Sequence, residues 1–260
     1  MHTTDVDSSL THINSWCTAN KLTINTNKTN YMFFSSVQNK INNTPKLTMN
    51  GTALNQVDKT TYLGLNIDEN LTRKPHISSI LKKISPLIGL LSKLRHYLLK
   101  FASLLLYNSL ILPHLSYGLE VWGSIYHTSL TPIYILQKKI VRIIMFKDKY
   151  THSTPLFNSL GILHIFNQFK YQICIFIHDL LHNRLPRTLH DYFSSPVHSY
   201  PTRSSTNFNF SYPSKRTNYG QFSIDYKGAK IWNQLPQYLK IINNRNQFKG
   251  SLKLYFSDNS

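Results

Sequence analysis

Three sets of side chains in this 260-residue chain are of types that could do chemistry, and their spacing decides what each supports. The first is a run in which rings alternate with cations: Tyr200, Arg203, Tyr212, Lys215, Arg216, Tyr219, Phe222, Tyr226 and Lys227. Rings stack on bases while cations neutralise phosphates, so the pattern suits a nucleic acid; it equally suits a Tyr-rich loop packed on a helical surface. The second is a helical run from Ile77 to Leu98 in which, at about 100° per residue, Lys82, Lys93 and Lys100 lie almost opposite Ile84. Lys138 and Arg142, four apart, share one face of a later helix.

The third set, the 11 carboxylates, lacks the spacing for metal-ion catalysis. A two-metal site needs carboxylates converging on ions about 3.5–4 Å apart. The close pairs are Asp5 with Asp7, at an exposed terminus, and Asp68 with Glu69, which would point apart on a strand and read as the start of a turn. Glycine-rich phosphate loops, G-x-S-x-G and H-E-x-x-H are absent, and histidines such as His76, His114 and His164 are scattered. Cys17 and Cys174 stand far apart without ligand-like spacing, which excludes a disulfide framework and fits a reducing compartment.

Charge points the same way as the basic faces. Lys and Arg number 29 against 11 acids, a formal net charge of +18, in a chain only 15% charged. So large an excess suits a polyanionic partner. With 41% hydrophobic and 13% aromatic residues the chain can bury a core, which excludes general disorder. The apolar stretches 84–112 and 162–181 are interrupted by Lys93, Arg95 and Lys100, and by Lys170 and Asp179, so neither offers the roughly 20 uncharged residues of a membrane span. The N-terminus has no apolar signal-like region.

The elements that must hold these residues read as α+β. Leu10, Ile13 and Trp16 place a short amphipathic helix over 10–24. Leu22–Asn25 and Tyr31–Phe34 read as antiparallel strands across Asn25-Thr26-Asn27, and Asn50-Gly51 is a strong turn. Helices follow over 77–98, which Pro86 should kink or divide, and over 103–112, stopping at Pro113. Two more run from Thr131-Pro132, as cap and first residue, to Phe146, and over 162–182. Residues 194–219 read as a long loop, and order returns over 222–239. The expected layout is a small antiparallel unit over 1–70, a helical region over 71–190 and a loop-rich aromatic and basic region over 191–260.

A series of short motifs runs through nearly the whole chain. They are Trp16, Asn20-Lys21-Leu22, Asn25 and Lys28-Thr29; Tyr62-Leu63-Gly64 and Asp68; His76-Ile77 and Lys83-Ile84-Ser85. Leu106-Tyr107, Tyr117-Gly118, Val121-Trp122-Gly123, Leu136-Gln137-Lys138-Lys139, Arg142-Ile143-Ile144, His152 and Pro155-Leu156-Phe157 follow. The last are Tyr200, Thr202-Arg203, Gly228, Ile231-Trp232-Asn233 and Leu235-Pro236. Each is degenerate, but their joint order resembles the C-terminal part of reverse transcriptases of non-LTR (LINE-like, jockey-like) retrotransposons, beginning just after the active-site hairpin.

The resemblance implies a palm remnant with a primer-grip-like hairpin over 1–70, then a helical thumb and connector. It makes Lys28 the candidate general acid or electrostatic stabiliser at the leaving pyrophosphate, and Tyr62, Leu63 and Gly64 the primer-holding hairpin. Lys82, Lys93, Lys100, Lys138, Arg142, Arg203, Lys215 and Arg216 become candidate nucleic-acid-binding residues, and primer–template RNA and DNA the partners. The family's aromatic-x-Asp-Asp motif precedes the position of Trp16 and is not in this sequence, so this stretch alone is expected to bind no metal or other cofactor and not to polymerise. Mg²⁺ is implied only for the full-length polymerase. A truncated element copy acting in nucleus or cytoplasm, away from membranes, is the expectation. The rivals are a non-enzymatic RNA-binding or protein-interaction module derived from a retrotransposon and, from the charge alone, a peripheral membrane protein.

Overall fold

Asn50-Gly51 and Leu63-Gly64 each stand between short β-forming stretches, and in the computed structural model both become two-residue hairpin turns. All four residues have positive φ, at 51°, 74°, 46° and 77° in chain order. Left-handed backbone at both central positions gives the turn whose twist matches that of paired strands. Residues 3–38, 45–193, 209–212 and 214–258 are described, and the chain divides into two compact units, Met1–His76 and Ile77–Ser260.

The first unit opens with α1, Thr3–Ala19, earlier than the 10–24 read from periodicity. Its end is set by Lys21 in the left-handed region (φ 56°), with Leu22 N donating to Cys17 O at 2.8 Å and Lys21 N to Thr18 O at 3.0 Å. These paired bonds satisfy the last helical carbonyls and turn the chain. The antiparallel pair expected across Asn25-Thr26-Asn27 does not form; a 3₁₀ turn, Thr26–Lys28, takes its place. The cause is local: Asn25 Oδ1 accepts from Lys28 N at 3.3 Å and Thr29 Oγ1 donates to Asn25 O at 2.9 Å, which competes with a strand ladder.

Six short strands follow. β1 (Asn30–Tyr31) runs parallel to β4 (Asn55–Gln56), β2 (Thr48–Met49) pairs antiparallel with β3 (Thr52–Ala53), and β5 (Lys59–Tyr62) with β6 (Leu65–Asp68). The β5–β6 register sets Lys59 opposite Asp68 and Tyr62 opposite Leu65. The unit's core is small: Leu47, Met49 and Leu54, with Val6, Leu10, Ile24 and Tyr31 against them.

The second unit is helical. Its elements are α2 (Lys74–Leu94), which begins at the end of the first unit, α3 (Lys100–Leu106), a π-helical turn (Tyr107–Ile111), α4 (Leu112–Ser116), α5 (Leu119–Trp122), α6 (His127–Ile144), α7 (Thr154–Leu160) and α8 (Ile165–Leu181). A 3₁₀ turn (Arg187–Tyr192) leads towards α9 (Asn218–Gln221), α10 (Ile224–Asn233), α11 (Gln237–Lys240) and α12 (Arg245–Asp258). Helix α8 packs against α4, α5, α6, α10 and α12, burying Ile165, Phe169, Ile173, Cys174 and Ile177 completely or nearly so. The molecule is thus of mixed α and β class, mostly helical with short strands, and most of residues 194–219 lie outside the described residues.

The prolines behave differently from their sequence reading. Pro86 does not divide α2; it sits on the exposed face, where the backbone acceptor it leaves unbonded faces solvent. Pro113 does not stop the chain's helical course but falls in the first turn of α4, where its missing N–H is not needed. Pro132 is inside α6, not at its start: the helix begins at His127 after Tyr126, and the Thr131 hydroxyl donates back to His127 O at 3.1 Å. Likewise α8 starts at Ile165, capped by the His164 ring accepting from Asn167 N at 3.3 Å.

Asp68 decides the turn into α2. Its carboxylate accepts from Thr72 N at 2.9 Å, Thr72 Oγ1 at 2.8 Å and Arg73 N at 3.0 Å. These bonds hold a turn in which Leu71 and Arg73 both have positive φ, at 50° and 58°. Asp68→Ala is expected to cost about 2 kcal/mol, the loss of hydrogen bonds to a charged acceptor. Hydrogen exchange should show the Thr72 and Arg73 amides losing protection; unchanged protection would mean that the turn holds without the carboxylate.

Candidate nucleic-acid interface

The 3₁₀ turn that replaces the expected hairpin places Lys28 at its end. Asn25 and Thr29 brace the turn through the two bonds described above, while the Lys28 side chain is exposed. The spacing Asn25-x-x-Lys28-Thr29 is therefore a device for fixing a short backbone loop beneath a solvent-facing ammonium.

The tip of the β5–β6 hairpin is built on the opposite principle, with apolar side chains turned outward. Tyr62 is 64% exposed and Leu63 73%. A Leu in the left-handed region costs roughly 1–2 kcal/mol. The tip is held by its strands: Thr61 Oγ1 donates to Asn66 Oδ1 at 2.8 Å across the pair, and Asn66 N donates to His76 Nδ1 at 3.3 Å at the base. Gly64, at φ 77°, completes the turn where a side chain would be strained.

On the helical unit, α2 buries Ile77, Ile80, Ile84, Ile88 and Leu91 and leaves Lys82, Lys83 and Lys93 exposed. Lys100 is not part of that stripe. The helix ends at Leu94, and Lys100 opens α3, so the 100°-per-residue projection does not extend to it. Arg95, which fell on the apolar side of that projection, lies with its guanidinium carbon 4.9 Å from the centre of the Phe146 ring, a cation–π contact.

On α6, Lys138 Nζ sits 4.7 Å from the Tyr134 ring centre, and Arg142 Nε donates to Thr151 O at 2.8 Å, holding the loop after the helix. The exposed cation on this helix is the neighbouring Lys139, which the helical-face reading passed over although the Lys138-Lys139 pair was its signal. Lys93 and Lys139 line one groove of about 390 Å³ between α2 and α6, together with Ile88, Leu136 and the small residues Ser85, Gly89 and Ser92. Small side chains there allow a ligand backbone to come close.

The aromatic and basic C-terminal run is divided between core and surface. Tyr200 and Arg203 lie outside the described residues. Lys215 is paired to Asp225 at 3.3 Å and Arg216 is exposed. Tyr212 and Tyr226 meet edge to face at 5.2 Å. Lys227 lies 5.3 Å from each of the Phe169 and Phe222 rings and donates to Ile125 O at 3.4 Å, so it braces the fold.

Several motifs that carry the family resemblance are likewise scaffold. Buried Gln137 donates from Nε2 to Tyr107 OH at 3.2 Å and accepts at Oε1 from Ile165 N at 2.7 Å. Trp122 Nε1 donates to Tyr117 O at 2.9 Å, and a Cβ on Gly123 would come within 2.5 Å of the Phe169 side chain. Trp232 is fully buried, and Asn233 exchanges two 2.9 Å hydrogen bonds with the backbone of Phe210. Lys240, whose pKa burial lowers, donates to Asn209 Oδ1 at 2.7 Å.

Among the described residues no group of three or more His, Cys, Asp or Glu is arranged to hold a metal ion. The Asp68 carboxylate is engaged by three donors of its own turn, so it does not fit a magnesium ligand. Among the described residues, too, no single helix is long and apolar enough to cross a membrane. α7 and α8 pass that test only as a pair bent by 45°, and Leu156, Phe157, Ile165 and Phe169 of this pair are buried in the core. Between Glu69 and Asp148 the sole acid is Glu120, against eleven Lys and Arg, so the field over α2 and α6 is positive with little to offset it.

The class to which these features correspond is found among mobile elements: the chain is similar to RNA-directed DNA polymerases of non-LTR retrotransposons. It is 27% identical over 158 residues to the probable RNA-directed DNA polymerase from transposon BS of Drosophila melanogaster, covering 59% of this chain and 17% of the relative. It is 29% identical over 130 residues to that of mobile element jockey from Drosophila funebris, 49% of this chain and 14% of the relative. A third, from transposon X-element of Drosophila melanogaster, is 24% identical over 161 residues, 59% of this chain and 17% of the relative. The chain therefore spans about a sixth of the length of these relatives. No family model matches it, and no solved structure does.

One half-buried histidine makes stability depend on pH. His164 sits among Tyr134, Phe157 and Phe166, and burial, aided by Lys170 and His127, lowers its pKa from 6.5 to about 4. Above pH 6.5 the ring is neutral in both folded and unfolded chains; as pH falls from there towards about 4 the unfolded chain takes the proton first, so stability is lost. His164→Asn keeps a capping acceptor and removes this titration. Its thermal midpoint should fall less than that of the natural protein across this window; parallel curves would assign the acid sensitivity to other groups, such as His178, whose pKa burial also lowers.

Proposed function

We propose that this chain is the nucleic-acid-holding C-terminal portion of a non-LTR retrotransposon reverse transcriptase, with a palm remnant in the first unit and a thumb and connector in the second. It grips primer–template without extending it alone. The observation that carries this reading is the exposed set Lys82, Lys83, Lys93 and Lys139 on α2 and α6, in a stretch with a single acid, in a chain similar to such polymerases. Lys93 and Lys139 lie in one groove whose lining includes the small residues Ser85, Gly89 and Ser92, which leave room for a phosphate backbone between the cations. The hairpin tip, Tyr62 and Leu63 over Gly64, has the form of a primer grip, an apolar surface for the sugar and base of a terminal nucleotide.

Lys28 fits the role of a cation at the leaving pyrophosphate in the complete enzyme, because its loop is fixed while its side chain is free to reach. Among the described residues no cluster of His, Cys, Asp or Glu is arranged for a metal, so in this reading magnesium is held by other segments of the complete polymerase. On α1, Ile13 and Trp16 are exposed on one face, which suits packing against polymerase segments outside this chain. A second reading, a protein-interaction module, draws on the exposed Tyr97, Leu99 and Phe101 around the start of α3.

Fluorescence anisotropy of a labelled primer–template duplex across a salt series tests the main reading. Each phosphate contact contributes about 0.9 to the slope of log affinity against log salt, so the combined change of Lys82, Lys93 and Lys139 to Gln should flatten it by about 2–3. An unchanged slope would place the contacts elsewhere, and absence of duplex binding would leave the protein-interaction reading. In a primer-extension assay with Mg²⁺ and nucleotides the purified chain should incorporate nothing; incorporation by the chain alone would overturn the claim that it does not polymerise unaided.

A further inference from the structure

A second cleft in the helical unit, lined by α5, α8 and α12, shares no lining residue with the groove between α2 and α6. It has a volume of about 340 Å³, within the roughly 300–1,000 Å³ range of small-ligand sites. Helix α8 forms its floor through Tyr171, Gln172 and Phe176, α5 contributes Glu120, and α12 contributes Arg245 and Lys249.

Its lining combines hydrogen-bond acceptors, Glu120, Asp179 and the Gln172 amide, with two cations, Arg245 and Lys249. The Gln172 amide is fixed because Nε2 donates to Ser116 O at 2.8 Å, and its Oε1 is buried without a hydrogen-bond partner. A buried acceptor left unpaired is costly, and a ligand N–H would relieve it. Glu120 is a second acceptor, half-buried, and burial raises its pKa, so it too gains from donors brought to it. Arg245 is held rigid by Asp179, with Nε donating to Oδ1 at 2.8 Å and Nη2 to Oδ2 at 2.7 Å. Lys249, one helical turn later, adds a cation to the lining without such an acid partner among the ion pairs described. Tyr171 and Phe176 add flat apolar surface.

We propose that this cleft takes one unstacked nucleotide of a single strand, guanine in preference to other bases, with the base edge on Glu120 and Gln172 and the phosphate towards Lys249 and Arg245. A carboxylate presents two parallel acceptors, and guanine, with N1–H beside its N2 amine, is the base that offers two adjacent donors to match them. Adenine and cytosine offer one amine, and uracil one ring N–H. The inference rests on the nucleic-acid reading above but uses different residues, so the two can fail separately.

The test is anisotropy of the full chain with short fluorescent oligouridines carrying a single central guanine, inosine, adenine, cytosine or uridine. The guanine oligomer should bind about five- to tenfold tighter than the all-uridine one, and inosine, which lacks the N2 amine, should lose most of that gain. Glu120→Gln should abolish the preference, Gln172→Met should reduce it, and Lys249→Ala should weaken all oligomers alike. Thermal unfolding of each variant reports whether the fold is kept. Equal binding of all oligomers by the natural protein, or a guanine preference surviving in Glu120→Gln, overturns the cleft proposal while leaving salt-dependent duplex binding intact. Binding of neither duplex nor oligomer overturns both.

Discussion

The larger unit depends on burying a single helix on almost every side. Helix α8 is covered by α4, α5, α6, α10 and α12, so the polar side chains it buries need partners inside the protein, and Asn167, His178 and Asp179 have them. Asn167 donates to Phe256 O at 2.8 Å. His178 pairs with Ile242 O at 2.7 Å and stacks on Phe248 at 4.2 Å. Asp179, 7% exposed, is held between Arg184 and Arg245. Each bond joins α8 to the C-terminal segment or to the turn that follows it, so hydrophobic burial sets where the elements lie and a few directed bonds set their register. Exchanging α8 for an equally apolar helix would retain the first effect and forfeit the second.

That demand separates the short motifs into two kinds. Gln137, Trp122-Gly123 and Trp232-Asn233 are in the core, where any change of size or hydrogen-bonding pattern is felt. The lysines of α2 and α6 are outside it, and their positions are fixed only by the helical period beneath them. A motif of residue types shared between related proteins thus mixes packing with contact, and the structure is what tells one from the other.

Much of this was legible in the sequence. The Asn50-Gly51 hairpin, the amphipathic period of α2 and the turn at Asp68 follow from short-range chemistry and appear as expected. What was not legible arises from longer-range or competing effects. The strands around Asn25 lost to side-chain bonds that periodicity does not register; Pro113 falls in a first helical turn, where no N–H is needed, and α6 runs on through Pro132 from a start four residues earlier than the Thr131-Pro132 signal. α7 and α12 gave little signal, since seven residues show too few turns and α12 buries only Phe248, Leu252 and Phe256 while Leu254, equally apolar, is exposed. The cleft of Glu120 and Lys249 joins residues far apart in the chain, so no spacing rule could reveal it; the one hint was an isolated acid in a basic stretch.

Leu63 sets two selective pressures against each other. Glycine or asparagine at that position would relax the left-handed backbone and make the hairpin more stable, yet would remove the side chain from the tip. A lineage selected only for folding would drift towards those residues within few substitutions. Persistence of a bulky apolar residue there in related sequences would be a record of use, readable without any assay, and its loss would date the point at which a lineage ceased to need its tip.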